Sequence, residues 1–230
     1  MDTILLERRG AVAHITLNRP DKYNSFNREM ALALQGVLDE CKTDESIRAL
    51  YLTGAGKAFS AGQDLGEIVA DDGPELTTIL TEHYNPIVTR LRAIEKPIVA
   101  AVNGVAAGAG ANIALACDIV VAAESASFIQ AFSKIGLIPD SGGTYTLPRL
   151  IGYQKAAALM MLGDKVPAVE AERIGMIYNF FPDEEFEEKS WAIAEKLSQM
   201  PTVGLGLTKR ALNYALDNDL ERQLAIEDQL

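Results

Sequence analysis

The sequence predicts an α/β fold, and three observations carry that prediction. Short apolar runs bounded by Gly, Pro or Asn alternate with longer stretches of helical periodicity, the pattern of strands joined by crossover helices. Two of these runs lead into turns built almost entirely of small residues, at Ser60–Leu65 and at Ala106–Asn112. The 230 residues, 48% hydrophobic and 23% charged, have the size and balance of one large domain, or of one domain with an appendage.

Taken in order, Ile4–Glu7 and Val12–Leu17 are apolar runs separated by Arg8-Arg9-Gly10, which reads as a hairpin. Asn18-Arg19-Pro20-Asp21-Lys22 breaks the pattern. Asn27 is placed to cap a helix reaching about Lys42, with Met30, Leu34, Val37, Leu38 and Cys41 on one face. Ile47–Thr53 is a third strand, and a polar connector over Asp71–Glu75 leads to a helix over Glu75–Ile94 that Pro86 kinks or breaks. Ile98–Val102 is a buried strand, followed by the Gly/Ala run Val105–Ala111, a helical Asn112–Ala116 and a strand at Asp118–Ala123. Ser125–Ser133 is ambiguous, and Ile135–Thr144 is a breaker-rich loop. Helices are expected from Thr144 towards Leu150, over Gln154–Leu162 and over Pro167–Ile174, where Gly175 stops the last of them. Met176–Phe181 closes the strands. From Glu184 onwards the pattern is helical, interrupted at Met200-Pro201 and near Asn218-Asp219.

The totals exclude several functions. A net charge of −11 argues against nucleic acid as a partner, since phosphate binding needs a basic face. The two cysteines, Cys41 and Cys117, offer neither a disulfide framework nor a metal cluster, and they fit a reducing compartment. The N-terminus lacks the pattern of a signal peptide, and no apolar stretch approaches the ~20 residues of a membrane span. A cytoplasmic location is expected, with no membrane partner and no metal.

The two small-residue turns suggest chemistry. If they converge, each can aim one backbone N–H at a single carbonyl oxygen and stabilise an oxyanion or enolate, where losing one donor costs ~3 kcal/mol of barrier. A proton carrier is then needed. His14 lies mid-strand and His83 mid-helix, and both read as structural. There is no Gly-x-Ser-x-Gly elbow for a serine hydrolase. Asp140, between Ile138-Pro139 and Ser141-Gly142-Gly143, reads locally either as a helix cap or as an acid–base group. Gly108-Ala109-Gly110 offers a weak dinucleotide fingerprint, without a third glycine or a properly spaced acid.

Together these residues resemble the crotonase (enoyl-CoA hydratase/isomerase) superfamily over essentially the whole chain. Asn18-Arg19-Pro20, Phe59–Leu65, Asn103-Gly104 through Asp118, and Gly136 through Pro139 to Gly142-Gly143-Thr144 stand in family order. The resemblance implies a spiral of repeated ββα units over 1–198 and a C-terminal helical region over 199–230 that makes oligomer contacts. It also implies a homotrimer or a dimer of trimers, and a chain expected to continue beyond Leu230.

For the site, the resemblance implies an acyl-CoA thioester substrate and no separate cofactor, CoA being part of the substrate. The N–H groups of Gln63 and Ala109 would form the oxyanion hole, with Ala at a position where the family usually has Gly. CoA would run past Lys22, Lys57, Ala61 and Gly62, the two lysines serving as phosphate partners. The two glutamates of family hydratases fall at Asn112 and Phe132, neither a carboxylate, so simple hydration by the usual route is disfavoured. Asp140 stands where family isomerases place one carboxylate, and that implies the role of base. Phe132, Ile135, Leu137 and Ile138 would desolvate it. Asn112 would orient Asp140, a water or the substrate, or else serve as a polar residue at a helix start. Residues 131–144 resemble the family's ring-epoxide isomerases of phenylacetate breakdown, which convert 1,2-epoxyphenylacetyl-CoA to an oxepin. The same subgroup shifts a 3,4 double bond of an acyl-CoA to the 2,3 position.

Overall fold

The chain opens with a hairpin, β1 (Ile4–Arg9) and β2 (Val12–Leu17), turned at Gly10, and then enters α1 (Arg28–Thr43). β3 (Ala49–Gly54), β4 (Ala58–Ser60) and α2 (Leu65–Ile68) follow. α3 (Leu76–Thr78), a π-helical turn (Ile79–Tyr84) and α4 (Asn85–Ala93) run on without a break. Then come β5 (Ile98–Val102), β6 (Val105–Ala107) and α5 (Ala109–Leu115). β7 (Ile119–Ala123), β8 (Ser127–Ile129) and a 3-10 turn (Ala131–Ile135) lead to α6 (Gly143–Ile151) and α7 (Tyr153–Leu162). β9 (Lys165–Pro167), α8 (Ala168–Arg173) and β10 (Asn179–Phe181) precede the terminal helices α9 (Asp183–Gln199), α10 (Thr202–Ala215) and α11 (Leu220–Gln229). This computed structural model describes residues 2–69 and 73–230.

The strands form two sheets, one six-stranded in the order β1-β2-β3-β5-β7-β10 and one four-stranded in the order β4-β6-β8-β9. Beyond the hairpin the larger sheet is parallel throughout. Each of β3, β5 and β7 is followed at once by a short strand of the second sheet and then by helical structure. That is the ββα repeat, and its stacking builds the predicted spiral. The parallel strands are buried on both faces, which explains continuous apolar runs such as Ile98–Val102 in place of alternation.

The predicted start of α1 holds: Asn27 accepts a hydrogen bond from the Met30 N–H at 3.0 Å, and Met30, Leu34, Leu38 and Cys41 are buried. Three expectations are corrected. The run Val105–Ala111 is not wholly a turn, because its first three residues pair in parallel with β4 and β8. The ambiguous Ser125–Ser133 contains β8 for the same reason: its partner strand, not its own pattern, fixes it. The helix expected over Glu75–Ile94 is not broken at Pro86. Proline has no N–H to give, and a π register just ahead, with the Asn85 N–H on Leu80 O, absorbs the defect. Asp71 and Asp72 of the polar connector lie outside the described residues.

α10 is fastened by a buried cation. Lys209, 6% exposed, donates to Leu91 O at 2.7 Å and pairs with Asp118 Oδ2 at 2.8 Å, while Arg92 reaches Asp118 Oδ1 at 3.3 Å. Stranding a buried ion costs several kcal/mol, but here Asp118 also keeps the Ile98 N–H at 2.9 Å. Lys209→Met is therefore expected to lower stability by about 2 kcal/mol, read as a shifted urea midpoint at unchanged slope.

Candidate active site

The two small-residue turns meet. Asn24, fully buried in the Pro20–Asn24 turn, donates to Ala55 O at 2.9 Å and to Ala58 O at 2.8 Å, tying that turn to the start of β4. Arg19 pairs with Asp64 at 2.8 Å, and the Phe26 backbone holds the turn after β4 from both sides, its N–H on Gly62 O at 2.7 Å and its carbonyl receiving the Asp64 N–H at 2.8 Å. Gln63 lies between those two anchors, so its N–H points away from Phe26. Gly62 has φ +87°, and a Cβ built on it would stand 2.9 Å from Ala107 O and 3.4 Å from Ala109 N. The two turns are thus in backbone contact. Among the described residues, no hydrogen bond uses the N–H of Gln63 or of Ala109.

The Asp140 loop is tied to α5, the helix that Ala109 opens. The Asn112 side chain, 1% exposed, donates to the Asp140 backbone carbonyl at 2.8 Å and accepts from Gln130 Nε2 at 2.8 Å. Gly143 lies so close that a Cβ there would fall 2.3 Å from Asn112 Nδ2. Asn112 therefore orients the Asp140 loop through its backbone. The cap reading of Asp140 does not hold: α6 has Gly142 at its N-cap and no side-chain cap bond. The carboxylate instead accepts the Ser141 hydroxyl at 2.8 Å. Burial pushes the Asp140 carboxyl above the usual carboxylate range, and that hydroxyl partly offsets the rise.

Beside Asp140 lies a cavity of about 230 Å³ with apolar walls from Leu76, Leu80, Leu137, Ile138 and Pro139. Of the expected desolvating residues, half-buried Leu137 lines it, and Ile138, 80% exposed, stands at its open rim. Phe132 does not; its ring packs towards Gly108, where a Cβ would sit 3.7 Å from Cζ. Ile135 does not either. Leu76 and Leu80 come from the helical stretch after Gly73, which the sequence reading expects to help set the width of the pocket. Lys22 and Lys57 are both exposed, on turns in contact where a Cβ on Gly56 would meet Pro20 at 3.2 Å. Gly62 is buried, and Ala61, exposed, donates its N–H to Tyr23 O at 2.9 Å.

The family model described as enoyl-CoA hydratase/isomerase matches residues 7–230. The chain belongs to that family. A 1,2-epoxyphenylacetyl-CoA isomerase of Escherichia coli K12 is 47% identical, over 99% of this chain and 88% of that protein. A probable enoyl-CoA hydratase of Rhodobacter capsulatus is 43% identical over the same shares. The crystal structure of an enoyl-CoA hydratase from Bacillus anthracis superposes with a TM-score of 0.92 at 34% identity, over 99% of this chain and 88% of that one. The protein is thus a crotonase-family enzyme acting on CoA thioesters.

Within this family fold the two histidines stand apart from the Asp140 cavity. His14 stacks on Tyr51 at 5.1 Å and lies near Trp191, and these three rings line a separate cavity of about 400 Å³ that shares no residue with the first. His83 is buried in the π-helical turn and lines neither cavity. Gly108-Ala109-Gly110 is explained by the contact between the two turns, which leaves the dinucleotide reading without support. No helix among the described residues is long and apolar enough to cross a membrane, and they contain no metal-binding cluster of His, Cys, Asp and Glu.

Proposed function

We propose that the protein is an acyl-CoA isomerase that works through a thioester enolate, with Asp140 as its single base. The observation that carries this reading is that Asp140 is the one ionisable side chain among the described residues lining an otherwise mainly apolar cavity, where burial raises its basicity. In this reading the thioester oxygen sits between the N–H groups of Gln63 and Ala109, which stabilise the growing negative charge without solvent rearrangement. Asp140 takes the proton from the α-carbon and returns it at another carbon, so one base suffices for a 1,3-shift. No cofactor is needed, because the reaction is redox-neutral and CoA enters with the substrate. Lys22 and Lys57 border the path of the CoA phosphates, and Ala61 and Gly62 line it with backbone.

The substrate is 1,2-epoxyphenylacetyl-CoA, converted to oxepin-CoA, a 3-enoyl-CoA converted to the 2-enoyl isomer, or both. The name of the Escherichia coli relative supports the first. Hydratase names among the relatives favour a second reading, hydration. Asn112 and Phe132 oppose it, since neither can act as a carboxylate base and both are buried. The family resemblance suggests a homotrimer or dimer of trimers, for which exposed Leu212, Leu220 and Leu224 of α10 and α11 offer apolar contact surface, and sedimentation reads the state.

The test offers the protein 3-enoyl-CoA, 2-enoyl-CoA and the ring epoxide in separate assays. Isomerisation of the first or the last, with negligible hydration of the second, is the expected result. Efficient hydration with no isomerisation of either substrate would overturn the reading.

A further inference from the structure

Behind Gln63 is a chain of polar groups that the reaction as described above does not use. The Tyr84 hydroxyl lies 2.8 Å from Gln63 Oε1, Gln63 Nε2 donates to Glu67 Oε2 at 2.9 Å, and Glu67 Oε1 accepts the Arg28 N–H at 2.8 Å. The chemistry fixes every direction in it. A carboxylate only accepts, so the amide nitrogen of Gln63 must face Glu67. The amide oxygen is then left for Tyr84, whose hydroxyl must donate. Tyr84 is 1% exposed, its ring meeting that of Phe26 edge-on at 5.9 Å. Burial, reinforced by the charges of Asp140 and Glu67, holds its hydroxyl protonated well above the ordinary tyrosine range.

Two further facts give this chain a direction. Gln63 is gripped on its backbone side by Phe26 and on its side-chain side by Tyr84 and Glu67, which leaves its N–H as the free group. Tyr84 also closes the π-helical turn whose Leu80 forms a wall of the Asp140 cavity. A π register is rare and frequently marks functional sites. Here it turns His83 and Tyr84 inward on consecutive positions, both 1% exposed.

We infer that Tyr84 is a positioning residue, which locks the Gln63 side chain so that the Gln63 N–H stays aimed at the thioester oxygen while the π turn carrying Tyr84 holds the wall of the acyl cavity. The inference rests on the proposed role of the Gln63 N–H. Its consequence is specific: the hydroxyl acts on the enolate-forming step and little on substrate binding, since charge on the oxygen grows only as the proton leaves.

The experiment compares the full-length enzyme with Tyr84→Phe, Glu67→Gln and Glu67→Ala on whichever CoA ester it isomerises, following kcat, KM and α-proton exchange in deuterated water. Tyr84→Phe keeps the ring and loses only the donor. Expected are a kcat and an exchange rate lowered about tenfold, as small misplacements of catalytic groups give, with KM moved less than about twofold. Glu67→Gln, which still presents an acceptor, retains more kcat than Glu67→Ala. An unchanged kcat and exchange rate in Tyr84→Phe, or a loss confined to KM, would overturn the inference. Asp140→Asn, run alongside, keeps the two claims apart. If it is inactive while Tyr84→Phe is unimpaired, only the role of Tyr84 fails; if Asp140→Asn is fully active, the underlying enolate reading fails.

Discussion

On the proposed reading, replacing Asp140 by asparagine is expected to lower turnover by about 10²–10⁴-fold, the span that a positioned acid–base group typically contributes, and to raise stability at neutral pH. The two effects have one cause. Burial in the apolar cavity holds the Asp140 carboxyl above its ordinary range, so the folded protein keeps that proton to higher pH than the unfolded chain does. Between the ordinary and the raised value the native state binds more protons, and stability falls as pH rises through that window. Asn112 and Ser141 hold the backbone and the carboxylate in place despite this cost. Asparagine has the same shape and no charge to desolvate. Melting curves of the two proteins should coincide below the ordinary carboxylate range and separate above the raised value, with Asp140→Asn the higher. Ser141→Ala supplies the opposite control: losing the hydroxyl that lowers the Asp140 pKa shifts the acidic limb of the pH–rate profile upwards. Coincident melting curves at all pH values would show that Asp140 is not desolvated as described, and full turnover in Asp140→Asn would remove it as the base.

What was legible in the sequence follows from how local each cause is. The hairpin, the Asn27 cap and the buried parallel strands are fixed by neighbours in sequence or by continuous apolar runs, and they stand where they were expected. β6 and β8 were hidden because their three-residue spans gain their identity from pairing with each other and with β4 and β9, at long separation. The same distinction holds in the site. Asp140 and the two turns could be picked out because Gly- and Pro-rich loops around one acid are conspicuous. Ser141, Gln130 and Tyr84 could not, since each acts through one hydrogen bond to a residue far away or in an irregular turn. Only Pro86 hinted at the π turn, as a missing N–H within a helical pattern.

Gly62→Ala tests the convergence of the two turns directly, and its effect on activity should approach that of Asp140→Asn. Gly62 stands at φ +87°, where a residue with a Cβ pays roughly 1–2 kcal/mol in the left-handed region. The turn cannot rotate to relieve this, because Gly62 O is held by the Phe26 N–H at 2.7 Å and the Gly62 N–H by Ser60 Oγ at 3.2 Å. The new methyl would lie 2.9 Å from Ala107 O, forcing the end of β6, and with it the start of α5 at Ala109, away from Gln63. Both consequences are measurable: a loss of at least about 2 kcal/mol in stability from strain and contact, and a fall of about 10²–10³-fold in kcat, the size expected when one N–H donor leaves a developing oxyanion. Gly36→Ala calibrates the first number, since Gly36 is exposed on α1 with nothing within 4 Å of its would-be Cβ, and there alanine should add roughly 0.5–1 kcal/mol. If Gly62→Ala loses stability but retains kcat under conditions where it stays folded, the separation of the two N–H groups does not control the reaction. If it loses kcat in proportion to the enolate exchange rate while CoA-ester binding persists, the two turns act as one device.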